Sequence, residues 1–565
     1  MLLSIFRELS NVAFPLIVFT FILIPQKALS QESEAKPAPK ALPKDPALDQ
    51  YYVANAAFNR KLYPVAAGQF ESFLEKNPKH PKADLALQGL ALSLYALKQY
   101  DKAMPHLDAL LAKETIDPSI SRERLVMLLG QCLMISEKKT EAKDLFLKEI
   151  KVIKDRAYRT AALAAICDVS FNEKNWEDVE SWADQLVSIK PSQEALARGL
   201  YQQGYAKYQL KKTKEAINSL SAIAGLEADK LWSTRANYLL GECHNLLKDY
   251  TKAELSFLAA LPGLGKPEST ECHYRLGITR FVLEKYDDSI KDLSIYLQDE
   301  PEGKHAKEAT FYIARGYLES KEYDSAGSSF ATLAKGEGPI AARSCLWQAR
   351  VFTRSVKNYD KAAEILTDAL ERFSESDIVT DIRYDLANSL MGKKSPDWQS
   401  ALTLLIEVGK DNEFSQLAEL LNQKSVCQHR LADYESSLAS TVEFIKDFPE
   451  NRLFQDALFL KAENLFLLKR TDEAAESYNK FLESGQSQSN MMIAQYRTAQ
   501  IYHEQGQWEK CLSVTGSILE NKPKDKLFNQ LKFIVGDSFY RLNKWEDSIV
   551  LLKEFVDSNS SDEGI

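Results

Sequence analysis

An all-α solenoid of about fourteen helical hairpins is the fold class that this sequence predicts, and three observations predict it. Aromatic residues recur every 36 to 39 positions, a small residue stands three places after each, and helix-periodic apolar residues flank them on both sides. The stretch from Tyr274 to Pro301 shows one repeat whole. Leu276, Gly277 and Phe281 lie on a first helix, Lys285-Tyr286-Asp287 forms a turn, and Ile290, Leu293 and Leu297 lie on a second helix that Pro301 stops.

The anchors of the series are Tyr63, Tyr100, Trp176, Tyr250, Tyr286, Tyr323, Tyr359, Trp398, Tyr434, Trp508 and Trp545. Lys139, Thr213 and Thr471 fill its three gaps, because Ala142, Ala216 and Ala474 follow them at the same offset. Fourteen units result, the first starting near 47 and the last near 529, with a period of about 37. A small residue is required where the two helices of a hairpin cross, since a bulky one would force the backbones apart. The second helix supplies Ala66, Ala103, Ala253, Ala326 and Ser548 among others; the first supplies Ala54, Gly130, Gly204, Gly241, Gly277 and Gly536. Four residues after the small position comes a larger one, such as Phe70, Phe146, Leu220, Phe257, Leu293 or Leu552, which is expected to pack on the next hairpin.

With its Leu-Gly, its aromatic-Asp turn, its Ala and its closing Pro, the pattern resembles the tetratricopeptide repeat family over residues 47 to 557. The resemblance implies a right-handed superhelical α-solenoid that binds protein segments in a concave groove. The period exceeds the family's by about three residues, close to one helical turn, so lengthened helices or turns are expected. This variant resembles the repeats of bacterial envelope proteins, which implies envelope proteins as partners.

Composition fits a folded repeat protein, with 45% hydrophobic and 27% charged residues. The 71 basic and 80 acidic residues are interspersed, giving a net charge of -9, and no basic stripe is present to displace counterions from a nucleic acid. Seven cysteines stand far apart without a CxxC and are read as buried helix residues. Cys243-His244 and Cys272-His273 make the best metal candidate. Adjacent helical residues point about 100° apart, so such pairs seldom share one ion, and neither metal nor cofactor is expected.

Residues 1–30 read as a signal peptide: Val12 to Ile24 form the apolar run, and Ala28-Leu29-Ser30 precede a cut before Gln31. The competing reading is an uncleaved anchor extended back through Leu9, which would hold the chain at a membrane. Lys27, Lys36, Lys40 and Lys44 would then place the repeats in the cytoplasm. Residues 31–46 read as a Pro/Lys/Ala-rich linker, 47–557 as the solenoid and 558–565 as a polar tail. The last helix carries Ile549, Leu551, Leu552, Phe555 and Val556 with no capping element after it. It is expected either to dock on a partner or on itself, or to turn Ser548, Val550 and Lys553 outward.

No HExxH, GxSxG, P-loop or EF-hand pattern occurs, so no catalytic residue is assigned and no enzymatic activity is expected. What remains is a surface. The fifth residue of the first helix is aromatic in nine units, among them Tyr201, Tyr238, Tyr274, Phe311, Trp347, Phe459 and Tyr496. Seven places on stand Phe58, Tyr95, Phe171, Tyr208, Phe281, Phe466 and Tyr540. The resemblance implies that these positions look into the concave groove. Tyrosine also serves to pack one hairpin on the next, because it buries a ring while its hydroxyl stays wet. Polar interruptions at Glu242, Asn245, Arg315, Arg354, Asn422 and His429 are candidates to set the register of a bound chain. The function expected is an exported, non-catalytic scaffold of the bacterial cell envelope or periplasm. The alternative is a periplasmic polysaccharide-export or assembly factor that binds glycan on the aromatic rows or recruits modifying enzymes.

Overall fold

The computed structural model describes residues 45–484, 488–521 and 526–558; the segments expected from the sequence to be a signal peptide and a linker, up to residue 44, and the tail from 559 lie outside these. Among the described residues are 28 α-helices in fourteen consecutive hairpins and no strand. All fourteen second helices begin at the anchor residue, from Tyr63 to Trp545, including Lys139, Thr213 and Thr471. No helix among the described residues is long and apolar enough to cross a membrane.

The described residues divide into two compact units, with the boundary between Ala162 and Leu163. The first contains hairpins one to three, with cores built on residues such as Phe70, Phe73, Leu107 and Phe146, all fully buried. The second contains hairpins five to fourteen and most of the fourth. Its cores run between neighbouring hairpins: Phe257 meets Cys272 and Leu276 of the next hairpin, and Leu366 meets Ile382 and Leu386.

The tight turn inside each hairpin explains the anchor. In hairpin two, Gln99 N–H donates to Leu94 O and Lys98 N–H to Tyr95 O, both at 2.9 Å, with Lys98 in the left-handed region at φ 60°. This is a Schellman closure, and it satisfies carbonyls that the end of the first helix would leave bare. The same left-handed residue recurs two places before the anchor in every hairpin except the tenth, where the GKKSP segment makes a longer turn. Just before the anchor an Asp or Asn often caps the second helix: Asn175, Asp249, Asn358, Asp397 and Asp433 each accept from the N–H three residues on. Glu177 and Asp178, like Asp287 and Asp288, lie in the first turn of a second helix, where carboxylates suit the helix dipole.

The long period has two sources. Where the first helix has 17 residues, as in Gln193–Gln209, Lys230–Leu246 and Pro339–Ser355, it is about one turn longer than the 14-residue helices. Before four of the 14-residue first helices the extra residues sit as two successive turns. His80 N–H donates to Asn77 O and Ala83 N–H to His80 O, and the same pair recurs at Gly303 and Ala306, at Ser376 and Val379, and at Asn451 and Phe454. Ser192 and Asp229 cap the longer helices from the preceding loop, which moves their starts ahead of the apolar pattern by four residues.

The larger residue of the second helix does more than face the next hairpin. Phe146, Leu220, Phe257, Leu293 and Leu552 also lie over the glycine of their own first helix. A Cβ built on Gly241 would stand 2.5 Å from Phe257 Cε1, and one on Gly277 would stand 2.6 Å from Leu293 Cγ. Ser548 does not turn outward: it is buried and donates to Gly536 O at 2.9 Å. Ile549, Val550 and Val556 are exposed on the final helix, Trp545–Ser558, as is Lys553.

All seven cysteines are free and buried. Cys272 Sγ lies 3.7 Å from Phe257 O, and His273 Nδ1 lies 2.9 Å from an Asp292 carboxylate oxygen, so both members of that pair are engaged in packing.

Candidate functional site

The first helices carry the candidate residues, and the structure divides them into two groups. The larger group is spent on packing. Tyr201, Tyr208, Tyr274 and Phe311 are buried. Tyr201 lies against Trp232 at 5.7 Å between centroids, Tyr208 against Tyr205 at 6.4 Å, and Phe311 against Phe330 at 5.7 Å. Tyr274 stacks on His305 at 4.0 Å and 6°. Burial pushes the Tyr201 and Tyr274 hydroxyls above their usual range. Tyr238 is half-buried against Phe257, Phe459 against Phe481, and Tyr496 against the core around Cys511 and Phe528.

The second aromatic row has a structural explanation that the repeat period conceals. Each of these residues sits five places before an anchor, and where that anchor is aromatic, as it is for all but Tyr208 and Phe466, the left-handed turn brings the two rings edge to face. Phe58 meets Tyr63 at 5.6 Å, Tyr95 meets Tyr100 at 5.5 Å, Phe171 meets Trp176 at 5.3 Å, Phe281 meets Tyr286 at 5.5 Å and Tyr540 meets Trp545 at 5.1 Å. His429 and His503 take the same place opposite Tyr434 and Trp508.

The polar interruptions mostly bond sideways to the neighbouring hairpin. Asn245 exchanges hydrogen bonds with Thr279 at 3.0 and 3.2 Å and His429 Nδ1 lies 2.7 Å from Asn464 Oδ1; Asn422 is half-buried, and it is its neighbour Gln423, not among the candidates, that donates to the Tyr384 hydroxyl at 3.0 Å. Glu242 is buried 3.4 Å from Arg275, which also meets Glu271 at 3.2 Å. Burial works against the charge of Arg275, but Glu242, Tyr238 and Glu271 more than offset it and hold the guanidinium above its usual pKa. Such residues fix hairpin against hairpin, Asn245 and His429 through hydrogen bonds and Glu242, Arg275 and Glu271 through charge, since Glu242 Oε1, Glu271 Oε1 and the Nε and Nη2 of Arg275 make no hydrogen bond.

One place differs, and it gathers four of the sequence candidates: Phe281, Arg315, Trp347 and Arg354. The Arg315 guanidinium of hairpin eight sits between Phe281 of hairpin seven and Trp347 of hairpin nine, 5.4 Å from the first ring centroid and 3.5 Å from the second. Arg350 and Arg354 approach the same indole at 4.5 and 5.7 Å. Each such contact contributes about 0.5–1 kcal/mol when exposed and ~2 kcal/mol when desolvated. Glu319 bridges Arg315 at 3.5 Å and Arg354 at 3.4 Å, and Asp385 of hairpin ten accepts from Arg350 Nε at 2.6 Å. Burial pushes the Arg315 guanidinium below its usual range, Glu319 opposes this, and Arg350 and Arg354 reinforce it.

Arg350, Glu319 and Asp385 are absent from the sequence-based candidates. A signal for Arg350 was there: Arg343, Trp347, Arg350 and Arg354 fall at i, i+4, i+7 and i+11, which places them on one face of Pro339–Ser355. Between this helix and the tenth hairpin lies a cavity of about 350 Å³, whose wall includes Arg350, Thr353, Arg354, Tyr359, Asp385 and Asn388.

Comparison with known proteins adds the following. Family models described as tetratricopeptide repeat match residues 54–119 and 201–267, and residues 456–484. No curated protein matches the sequence. Among solved structures, the chain is similar to one of Naa15/Naa10 bound to HypK-THB, with 12% identity, 92% of this chain and 95% of that chain covered, and a TM-score of 0.29. It is similar to one of the APC/C hetero-tetramer Cut9–Hcn1, with 13% identity, 80% and 96% coverage, and a TM-score of 0.30. A third is the P58(IPK) TPR domain, with 17% identity, 69% and 99% coverage, and a TM-score of 0.23.

Proposed function

Starting from a chain that is a tetratricopeptide repeat protein, we propose that it is a non-catalytic scaffold which holds segments of partner proteins on the face of its first helices. The observation that carries this reading is the cluster of Phe281, Arg315, Trp347, Arg350 and Arg354, where charged and aromatic side chains from three hairpins converge beside a cavity. Arginine and tryptophan are the side chains that most often anchor protein interfaces, because each offers a large contact area with directional polar groups. Glycan binding by stacking would need exposed ring faces in a row. Tyr274 is stacked on His305 and Trp347 is covered by Arg315, so the protein-segment reading is preferred.

The compartment belongs to the same proposal. Residues 1–30 have the charged start, apolar run and small residues of a secretory signal, and the spacer after them gives the solenoid reach. We place the mature chain in the periplasm or cell envelope, with envelope proteins as partners. The test is capture of the tagged full-length chain from the envelope fraction of its own host after crosslinking, with its N-terminus read by mass spectrometry. A terminus at Gln31 and a stoichiometric partner are expected. An intact Met1 with cytoplasmic partners alone would overturn the compartment, and absence of any protein partner would overturn the scaffold.

A further inference from the structure

We propose that the first hairpin of one chain docks on the last hairpin of a second copy, so that the packing of hairpin on hairpin continues from chain to chain. This contact involves the two ends of the repeat and does not depend on what the first helices bind.

Hairpin one departs from the repeat at two positions. It has Leu62 just before its anchor and Val65 two places after it, where all thirteen other hairpins have a polar or charged residue. Both are exposed, Leu62 at 50% and Val65 at 52%. Inside the chain these positions face the second helix of the preceding hairpin. Lys212 and Lys285, which match Leu62, pair with Glu180 at 2.7 Å and Glu254 at 2.6 Å, each four places after the preceding anchor. Asp108 of hairpin two is close enough to feel the charges of Lys138 and Glu141, which match Leu62 and Val65. Val53 completes the face. It matches Leu276, which is buried with Phe257 of the preceding hairpin, yet Val53 is itself exposed. Contiguous apolar side chains at otherwise solvated positions mark an interaction surface.

The last hairpin presents the matching half. Ile549 stands four places after its anchor, the position of Glu180 and Glu254, which is buried or half-buried in hairpins one to thirteen. Here it is 66% exposed. Val556 matches Leu261 and Ala334, which pack with Cys272 and Cys345 of the following hairpin, and it too is exposed. Extending the repeat by one hairpin therefore sets Leu62 of one copy on Ile549 of another, in the register of Lys285 on Glu254, and brings Val53 to the side of Val556. A second copy is the occupant because both halves of this register are apolar in the same chain, where internal junctions have ion pairs. Asp49 opposes the contact: it stands where later hairpins have Cys272 or Ala309, and its carboxylate loses water in the junction. The association is accordingly reversible. It is also heterologous, so chains add end to end.

The test is sedimentation velocity on the chain purified from its own host, over about two decades of concentration. The mass of the unaltered chain should rise with concentration and pass that of a dimer. Leu62→Glu and Ile549→Glu should each weaken association at least tenfold. Both side chains are exposed, so these variants keep the fold and the test stays readable. Mixed together, the two variants should form a 1:1 dimer that grows no further, because only one intact first hairpin and one intact last hairpin can meet. The doubly altered chain Leu62→Lys/Ile549→Glu, which rebuilds the Lys285–Glu254 pair between copies, should associate more tightly than a chain with either change alone. A monomer at every concentration would overturn the proposal and leave residues ahead of hairpin one, or a different protein, to cover the face. So would a Leu62→Glu chain that dimerises at full strength, the mark of two last hairpins meeting, or mixed variants that fail to pair.

Discussion

Replacing Gly241 by alanine should destabilise hairpin six, although the same replacement elsewhere in the chain should stabilise. In an exposed helix interior Gly→Ala gains about 1 kcal/mol from backbone entropy and propensity. At Gly241 the new methyl would stand 2.5, 2.6 and 2.7 Å from three carbons of the Phe257 ring, where about 3.5–4.0 Å is needed. Phe257 is fully buried and held by Cys272 and Leu276, so the ring has little room to withdraw. Overpacking of this kind costs about 1–3 kcal/mol. The upper end applies here, and less the propensity gain the net loss is ~2 kcal/mol. Hairpin eight holds Ala314 and Phe330 in one core cluster, so the alanine–phenylalanine pair is compatible with the fold. The penalty at Gly241 is that of parting helices whose spacing glycine has set. Gly68, on Tyr63–Lys76, has nothing within 4 Å of its built Cβ and is the matched control. Repeat arrays open locally, so hydrogen exchange is the suitable assay. Exchange across residues 230–260 should quicken by roughly 30-fold in Gly241→Ala, and exchange across 63–76 should slow by roughly fivefold in Gly68→Ala. Phe257→Leu should restore part of the first loss. If Gly241→Ala slows exchange as Gly68→Ala does, the account of the helix crossing is wrong.

Lys98 holds a left-handed φ that costs a residue bearing a Cβ about 1 kcal/mol, so Lys98→Gly should stabilise hairpin two by that amount in the same exchange assay. Burial pushes the thiols of Cys132, Cys243, Cys272 and Cys427 up to about 12 and raises those of Cys167, Cys345 and Cys511. A thiol reagent at pH 8 should therefore titrate none of the seven in the folded chain and all seven in denaturant. Burial raises the pKa of Glu254, but its contacts with Lys285 and Arg280 outweigh this and leave the folded carboxyl below 4.5. A depressed carboxylate pKa stabilises fully above the unfolded value and ceases to do so as pH falls through the folded one. Melting curves from pH 6 down to pH 3 should show that loss in the unaltered chain and a shallower one in Glu254→Gln.

The repeat was legible because its strictest requirements are local. An aromatic after a tight turn and a small residue one helical turn later are enough to mark a second helix, and Lys139, Thr213 and Thr471 begin such helices on the strength of the small residue alone. First-helix starts were less legible, since Ser192 and Asp229 cap from loops that have no apolar period. The aromatic rows were visible, but a period says only that residues share a face. It does not say that Phe281 meets Tyr286 across a left-handed turn, or that Tyr274 finds His305 on the next hairpin. Large residues such as Phe257 were expected to pack on the next hairpin, and their seat over Gly241 within their own was not foreseen because that approach is a property of backbone spacing. Arg350 escaped notice because its partners, Asp385 and Trp347, belong to different helices.

The measurement that bears most directly on the central claim is site-specific photocrosslinking of the full-length chain in its own host. A benzoylphenylalanine placed at Trp347, on the first helix of hairpin nine, is compared with one placed at Glu364, exposed on the second helix Tyr359–Arg372. A single protein adduct from the Trp347 position and none from Glu364 is the result predicted for a scaffold that binds along its first helices. Adducts from Glu364 alone, equal adducts from both, or none from either would contradict it.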